Sequence, residues 1–159
     1  GLCQGFMPLV GYNYAARNYD RMRAVSYFSW KVALIFSACC VACFAAFAPQ
    51  LLHLFIPEAE TSALGADFLR IACLAVPLTA VNFLISYTLQ AMGKGVQSAI
   101  LTSCRQGLLN IPLLILMDLT VGLYGMIWTQ LVVEVIMLPV SLGMYRATFR
   151  HLPPAEPKP

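Results

Sequence analysis

Residues 123–145 read LYGMIWTQLVVEVIMLPVSLGMY, an apolar run with a single charge, Glu134, near its middle. A helix that crosses the ~30 Å hydrocarbon layer of a bilayer needs about 20 apolar residues, each adding a rise of ~1.5 Å. This run is long enough, and it is not alone. Upstream, residues 96–117 carry one charge, Arg105, and residues 71–92 carry none, in a helix expected to begin near Thr61. Residues 27–54 are interrupted by Lys31, and an uncharged block ends near Ala16. Pro57, the Gly93-Lys94-Gly95 triplet and Gly122 fall between the runs, where breakers belong. The chain as a whole is 60% hydrophobic and 11% charged, against about 25% charged for a typical soluble domain. The fold class expected is all-α, a polytopic helical membrane bundle, solvated by lipid and with no nucleic acid expected as a partner.

The first block looks cut off on its N-terminal side. With no initiator Met, basic leader or small-residue cleavage site at Gly1, the expectation is a fragment of a longer protein rather than a processed one. The last residues, LPPAEPKP from Leu152 to Pro159, are too rich in proline for a helix and are expected to form a disordered tail.

Charge asymmetry gives an orientation. Of ten Lys and Arg, Arg17, Arg21 and Arg23 follow the first span, Lys94 follows the third, and Arg146, Arg150 and Lys158 follow the fifth. The loops on the other side hold Glu58, Glu60 and Asp118. Basic loops face the cytoplasm, so the C-terminus is expected there.

Polar residues inside the spans mark faces turned to protein or water. Thr79, Asn82, Ser86 and Gln90 form one stripe at helical spacing; Ser103, Gln106 and Asn110 form a second, and Gln130, Glu134 and Ser141 a third. Two readings stand. The stripes line a water-filled cavity for a polar or cationic ligand, or they are interhelical hydrogen-bond seams of ~1 kcal/mol per bond. An ionised carboxylate at the depth of Glu134 costs at least ~2–3 kcal/mol, so it must face the interior. Glu134 is thus a candidate proton site, with Gln130, Asn82, Ser86, Gln106 and Asn110 as further candidates for a substrate or ion pathway. The bland alternative, a structural pair with Arg105, is disfavoured because Arg105 is expected nearer the cytoplasmic end of its helix. Lys31 can snorkel to the headgroups, Asp67 and Arg70 can pair locally, His53 is expected at the interface, and Trp30 and Trp128 carry no assigned role. Pro8, Pro77, Pro112 and Pro139 can bend four helices.

Cys3, Cys39, Cys40, Cys43, Cys73 and Cys104 all lie in apolar stretches, with packing expected rather than metal binding or disulfides. The chain has no GxxxxGK[ST] loop and no nucleophile or metal-ligand cluster. Enzymology and ATP-driven transport are not expected of it, nor is any resident cofactor.

The segment QGFMPLVGYNYAAR, with Gln4, Pro8, Gly11 and Asn13, resembles the end of the eighth of twelve spans in the multidrug and toxic-compound extrusion (MATE) family. Ala15 departs mildly from the usual Gly. Phe68-Leu69-Arg70-Ile71 with Pro77 is similar to the start of the tenth span. Leu89-Gln90-Ala91-Met92-Gly93-Lys94 resembles the turn after it, and Arg105-Gln106 with Pro112 the eleventh. The resemblance implies a two-lobe transporter in the bacterial inner membrane. Residues 1–151 would be a partial C-terminal lobe, with spans at about 27–54, 62–92, 96–117 and 123–145, and residues 152–159 a cytoplasmic tail. It also implies the missing N-terminal lobe as a partner, and small organic cations exchanged for Na⁺ or H⁺. One branch of the family places a coupling Asp in the tenth span, and this chain has no carboxylate between Asp67 and Asp118. A flippase for lipid-linked saccharides and a non-transporting membrane fragment are the competing readings.

Overall fold

The computed structural model describes residues 2–55, 59–150 and Leu152. All regular structure among them is helical: α1 (Leu2–Ala15), α2 (Tyr19–Phe55), α3 (Ala59–Ala91), α4 (Gly95–Ser103), a π-helical segment Cys104–Leu109, α5 (Asn110–Val121) and α6 (Leu123–Arg150). Four stretches are long and apolar enough to span a bilayer: Tyr19–Leu52, Leu64–Ala91, Gly95–Val121 and Leu123–Arg150. At most 33% of the most apolar window of any of them is buried, and Phe36, Leu108, Leu119 and Val135 are among the large apolar side chains left exposed. A surface of that kind has hydrocarbon as its solvent, and the chain is an integral membrane protein.

Two helices outrun their apolar cores. α2 begins at Tyr19, eight residues before the expected start, and α6 runs on to Arg150. Arg and Ala are good helix formers, so the end of hydrophobicity marks the membrane boundary and not the end of the helix. Pro49 also lies inside α2, a fifth intrahelical proline that the sequence reading did not single out. Pro57, Glu58, His151 and the tail from Pro153 lie outside the described residues, as does the side chain of His53.

α3 sits at the centre, packed against α1, α2, α4 and α6. Leu84, Ile85, Ser86, Thr88 and Leu89 are all buried, so neighbours surround this part of α3 on nearly every side. Val10, Met22, Ile85, Leu89, Met92, Leu101, Val133 and Met137 form the shared apolar core. The turns are built by specific backbone chemistry. Gly93 has φ +75°, and the Lys94 and Gly93 amides donate to the Leu89 and Gln90 carbonyls. That is the paired 6→1 and 5→2 pattern of a Schellman cap, which needs a left-handed residue. The same pattern closes α1, where Asn18 donates to Asn13 and Arg17 to Tyr14, with Arg17 itself at φ 53°. Between α5 and α6, a Cβ on Gly125 would stand 2.5 Å from the Met117 carbonyl oxygen, so only glycine permits this close return.

Candidate functional site

The α3, α4–α5 and α6 helices converge on one carboxylate. Glu134 is fully buried and accepts three side-chain hydrogen bonds. Arg105 Nη1 donates to Oε1 at 2.9 Å, Asn82 Nδ2 to Oε2 at 2.6 Å, and Gln130 Nε2 to Oε1 at 3.2 Å, one helical turn away on α6. Asn110 Nδ2 extends the chain of contacts to Gln130 Oε1 at 3.3 Å. The Arg105 guanidinium also lies 4.1 Å from the centre of the Phe83 ring. Its side chain is 7% exposed and that of Glu134 is 0% exposed, so each charge is satisfied by the other, by amides and by an aromatic face rather than by water.

The pair corrects the reading of Arg105 as too shallow to reach Glu134. Counted from Gly122 at ~1.5 Å per residue, Arg105 starts about 7 Å nearer the basic end of the bundle. Its three-methylene stem and guanidinium reach inward across that offset, away from the interface, to the buried carboxylate. The ionic pair is therefore present, and Glu134 is not an isolated carboxylate.

The second polar stripe is also rearranged. Gln106 and Ser103 are exposed and outside the network, whereas Arg105 and Asn110 both enter it. On an uninterrupted α-helix residues five apart lie about 140° apart. The π-helical turn at Cys104–Leu109 bonds i to i+5 and brings such residues closer to one face. Pro112, lacking an N–H for the Leu108 carbonyl, stands just beyond it, where a helix is prone to break register.

Along α3 the first stripe divides. Thr79 bonds its own helix at the Ala75 carbonyl, and Asn82 enters the network. Ser86 and Gln90 instead line an open cleft of about 290 Å³ with Phe83, Tyr87, Ser98 and Thr102. Phe83 and Tyr87 stack at 6.2 Å, so Phe83 touches both the cleft and Arg105. On α6, Ser141 is fully buried with no hydrogen-bond partner for its hydroxyl among the described residues. Asn82 Oδ1 is likewise an unpartnered buried acceptor, because its amide nitrogen is committed to Glu134. No group of three or more His, Cys, Asp or Glu is placed to hold a metal among the described residues.

Residues 1–116 match the MatE family model. The chain belongs to the MatE family. Among curated relatives of this MATE segment, the multidrug export protein MepA of Staphylococcus aureus (strain MSSA476) is 31% identical over 135 residues, covering 84% of the chain and 29% of that relative. The chain thus spans less than a third of that relative's length. Solved MATE structures share the fold. An inward-facing multidrug resistance MATE transporter matches 94% of the chain and 35% of its own, with a TM-score of 0.87 at 22% identity. An outward-facing one matches with a TM-score of 0.86 at 23% identity, over 94% of the chain and 34% of its own.

Of the MATE-like motif residues, Asn13 donates to the Leu9 carbonyl at 2.7 Å, and Gly11 packs with its Cβ position 3.3 Å from the Ala91 carbonyl. Asp67 and Arg70 pair at 3.2 Å, both largely exposed. Sequence reasoning passed over Phe83, Ser98 and Thr102. Phe83 was legible as an aromatic beside Asn82, but nothing in its spacing marked it as a seat for Arg105.

Proposed function

We propose that this chain supplies most of the second lobe of a twelve-span MATE antiporter. Such a protein exports organic, often cationic, compounds across the bacterial inner membrane in exchange for Na⁺ or H⁺, and acts as a transporter rather than an enzyme. Its partners are the bilayer, the first lobe of the same protein and the exported cation. The end bearing Arg17, Arg21, Arg23, Arg146 and Arg150 faces the cytoplasm under the positive-inside rule.

The observation that carries this reading is the cleft on α3 and α4. It combines stacked Phe83 and Tyr87 rings with Ser86, Gln90, Ser98 and Thr102, and no charged residue lines it among the described residues. Aromatic faces with a few hydroxyl and amide groups suit an organic cation. At about 290 Å³ the cleft is at the low end of drug-sized sites, ~300–1,000 Å³, consistent with half a cavity that a second lobe would complete. The near-equal fit to inward- and outward-facing relatives supports a lobe that moves as one body during alternating access. A tightly paired Arg105–Glu134 centre would help keep that body rigid. A flippase for pyrophosphate-linked saccharides would need free interior cations, and here Arg105 is already paired.

Expression of the full-length protein in a pump-deficient bacterium tests the proposal. Raised tolerance to cationic dyes is expected, with Tyr87→Ala and Ser86→Ala lowering it at matched protein levels. Vesicles loaded with either a Na⁺ or a proton gradient should then drive dye movement under one of the two. No tolerance and no gradient-driven movement would overturn it. Normal tolerance in Glu134→Gln would remove Glu134 from coupling and leave the export reading standing.

A further inference from the structure

A second cavity lies at the basic end of the bundle, away from the ionic network. It is about 780 Å³ in volume, between the start of α2 and the end of α6, and is lined by Arg23, Tyr27, Trp30, Tyr145, Arg146, Phe149 and Arg150 together with Ala24 and Leu152. Three arginines line it and, among the described residues, no carboxylate does. The aromatic wall is continuous: Trp30 and Tyr145 lie 5.2 Å apart, Tyr145 and Phe149 4.3 Å apart, and Arg23 sits over Phe149 at 5.9 Å. The indole N–H of Trp30 is buried with no acceptor among the described residues.

We infer that this groove binds an anionic phospholipid, its phosphate among Arg23, Arg146 and Arg150 and its acyl chains along the apolar flank of α2. Three features converge on that occupant. The groove offers donors and positive charge with no acid lining it among the described residues, which selects an anion. The donors stand at the polar ends of two spans, at headgroup depth, in an aromatic belt of the kind found at membrane interfaces. Immediately beyond the groove α2 exposes Leu34 and Ile35, a surface that acyl chains cover. Basic pockets between spans recognise acidic headgroups in this way. A free phosphate would gain the charge contacts but none of the apolar ones, so the commitment is to the lipid.

Native mass spectrometry of the delipidated full-length protein, titrated with phosphatidylglycerol or phosphatidylcholine, tests this. Each arginine in the groove, at the lipid phosphate, adds about fivefold in affinity for an acidic lipid. The variant Arg23→Gln/Arg146→Gln/Arg150→Gln should therefore lose roughly 100-fold for phosphatidylglycerol and little for phosphatidylcholine. Arg21→Gln, which removes a charge at the same end but outside the groove, should retain the adduct within about twofold. If the triple variant does not fold, Arg146→Gln alone should still show about the fivefold loss, with Arg146→Lys recovering most of it. Equal retention by wild type and variant, equal retention of the two lipids, displacement by inorganic phosphate at the same concentration as lipid, or binding that appears only after removal of residues 153–159 would each overturn the proposal.

Discussion

Removing one partner of the Arg105–Glu134 pair should cost far more than removing both. In Glu134→Gln the guanidinium keeps its place, 2.9 Å from the former Oε1 position, with its neutralising charge gone and its surroundings still closed to water. Breaking a buried pair from one side costs about 3–5 kcal/mol. The new amide also sets its NH₂ group either against the Asn82 donor, in place of Oε2, or against the donors of Arg105 and Gln130, in place of Oε1, a mismatch worth a further ~1–3 kcal/mol. The Phe83 face is present before and after, so it compensates nothing. Arg105→Met leaves the carboxylate with two amide donors and should fall near ~3 kcal/mol, the low end of that range. The double variant Arg105→Met/Glu134→Gln has no unpaired charge, and its amide oxygen can still accept from Asn82. Its loss should be at least ~2 kcal/mol smaller than the sum of the singles, well outside the few tenths expected of independent sites. Unfolding free energies from detergent titration of the full-length protein give the cycle directly. Single variants that each lose under ~1 kcal/mol and add within error would refute the ionic pair as an energetic unit.

Other outcomes follow from the same geometry. Gly93→Ala has open space around it but keeps φ +75°, so the loss should be about 1 kcal/mol of backbone strain, read as a lower unfolding midpoint. Gly125→Ala should lose more, because its Cβ would meet the Met117 backbone at 2.5 Å; equal effects at the two glycines would contradict the close helix return. Asn82→Leu should destabilise by ~1–3 kcal/mol by withdrawing the 2.6 Å donor to Glu134, whereas Gln106→Leu, on an exposed position, should stay within about 0.5 kcal/mol in a bilayer. Single cysteines introduced beside Lys94 and beside Asp118 into a cysteine-free background should label from opposite sides of the membrane, and labelling of both from one side would contradict the span order.

Much of the architecture could be read directly from the sequence, because four hydrophobic runs are long enough for a span by length alone. Three of the four connections carry a glycine or proline, the exception being the turn made by Arg17 at φ 53°. The limits of the helices could not, since Asp20, Arg21 and Arg23 continue α2 outside the apolar region without any change of helical propensity. The inward placement of Asn82 and Glu134 follows from the cost of polar groups in lipid. Arg105 was set aside on depth, an offset that its long side chain covers. Gln106 was placed by a stripe that assumes 100° per residue, a phase that the π-helical turn Cys104–Leu109 changes. Nothing in the local composition announces that turn apart from Pro112. Trp30, assigned no role from sequence, lines the basic groove because α2 and α6 meet at that end, a tertiary fact that no single-helix periodicity contains.

The most direct test is the distance between the Arg105 guanidinium nitrogens and the Glu134 side-chain carboxyl carbon, measured by solid-state NMR dipolar recoupling on labelled full-length protein in lipid. Joined at hydrogen-bond distance, the two groups should show a nitrogen–carbon separation within about 4 Å. An absence of measurable coupling, with Glu134 instead in contact with acyl-chain protons, would contradict a shared polar interior among these helices.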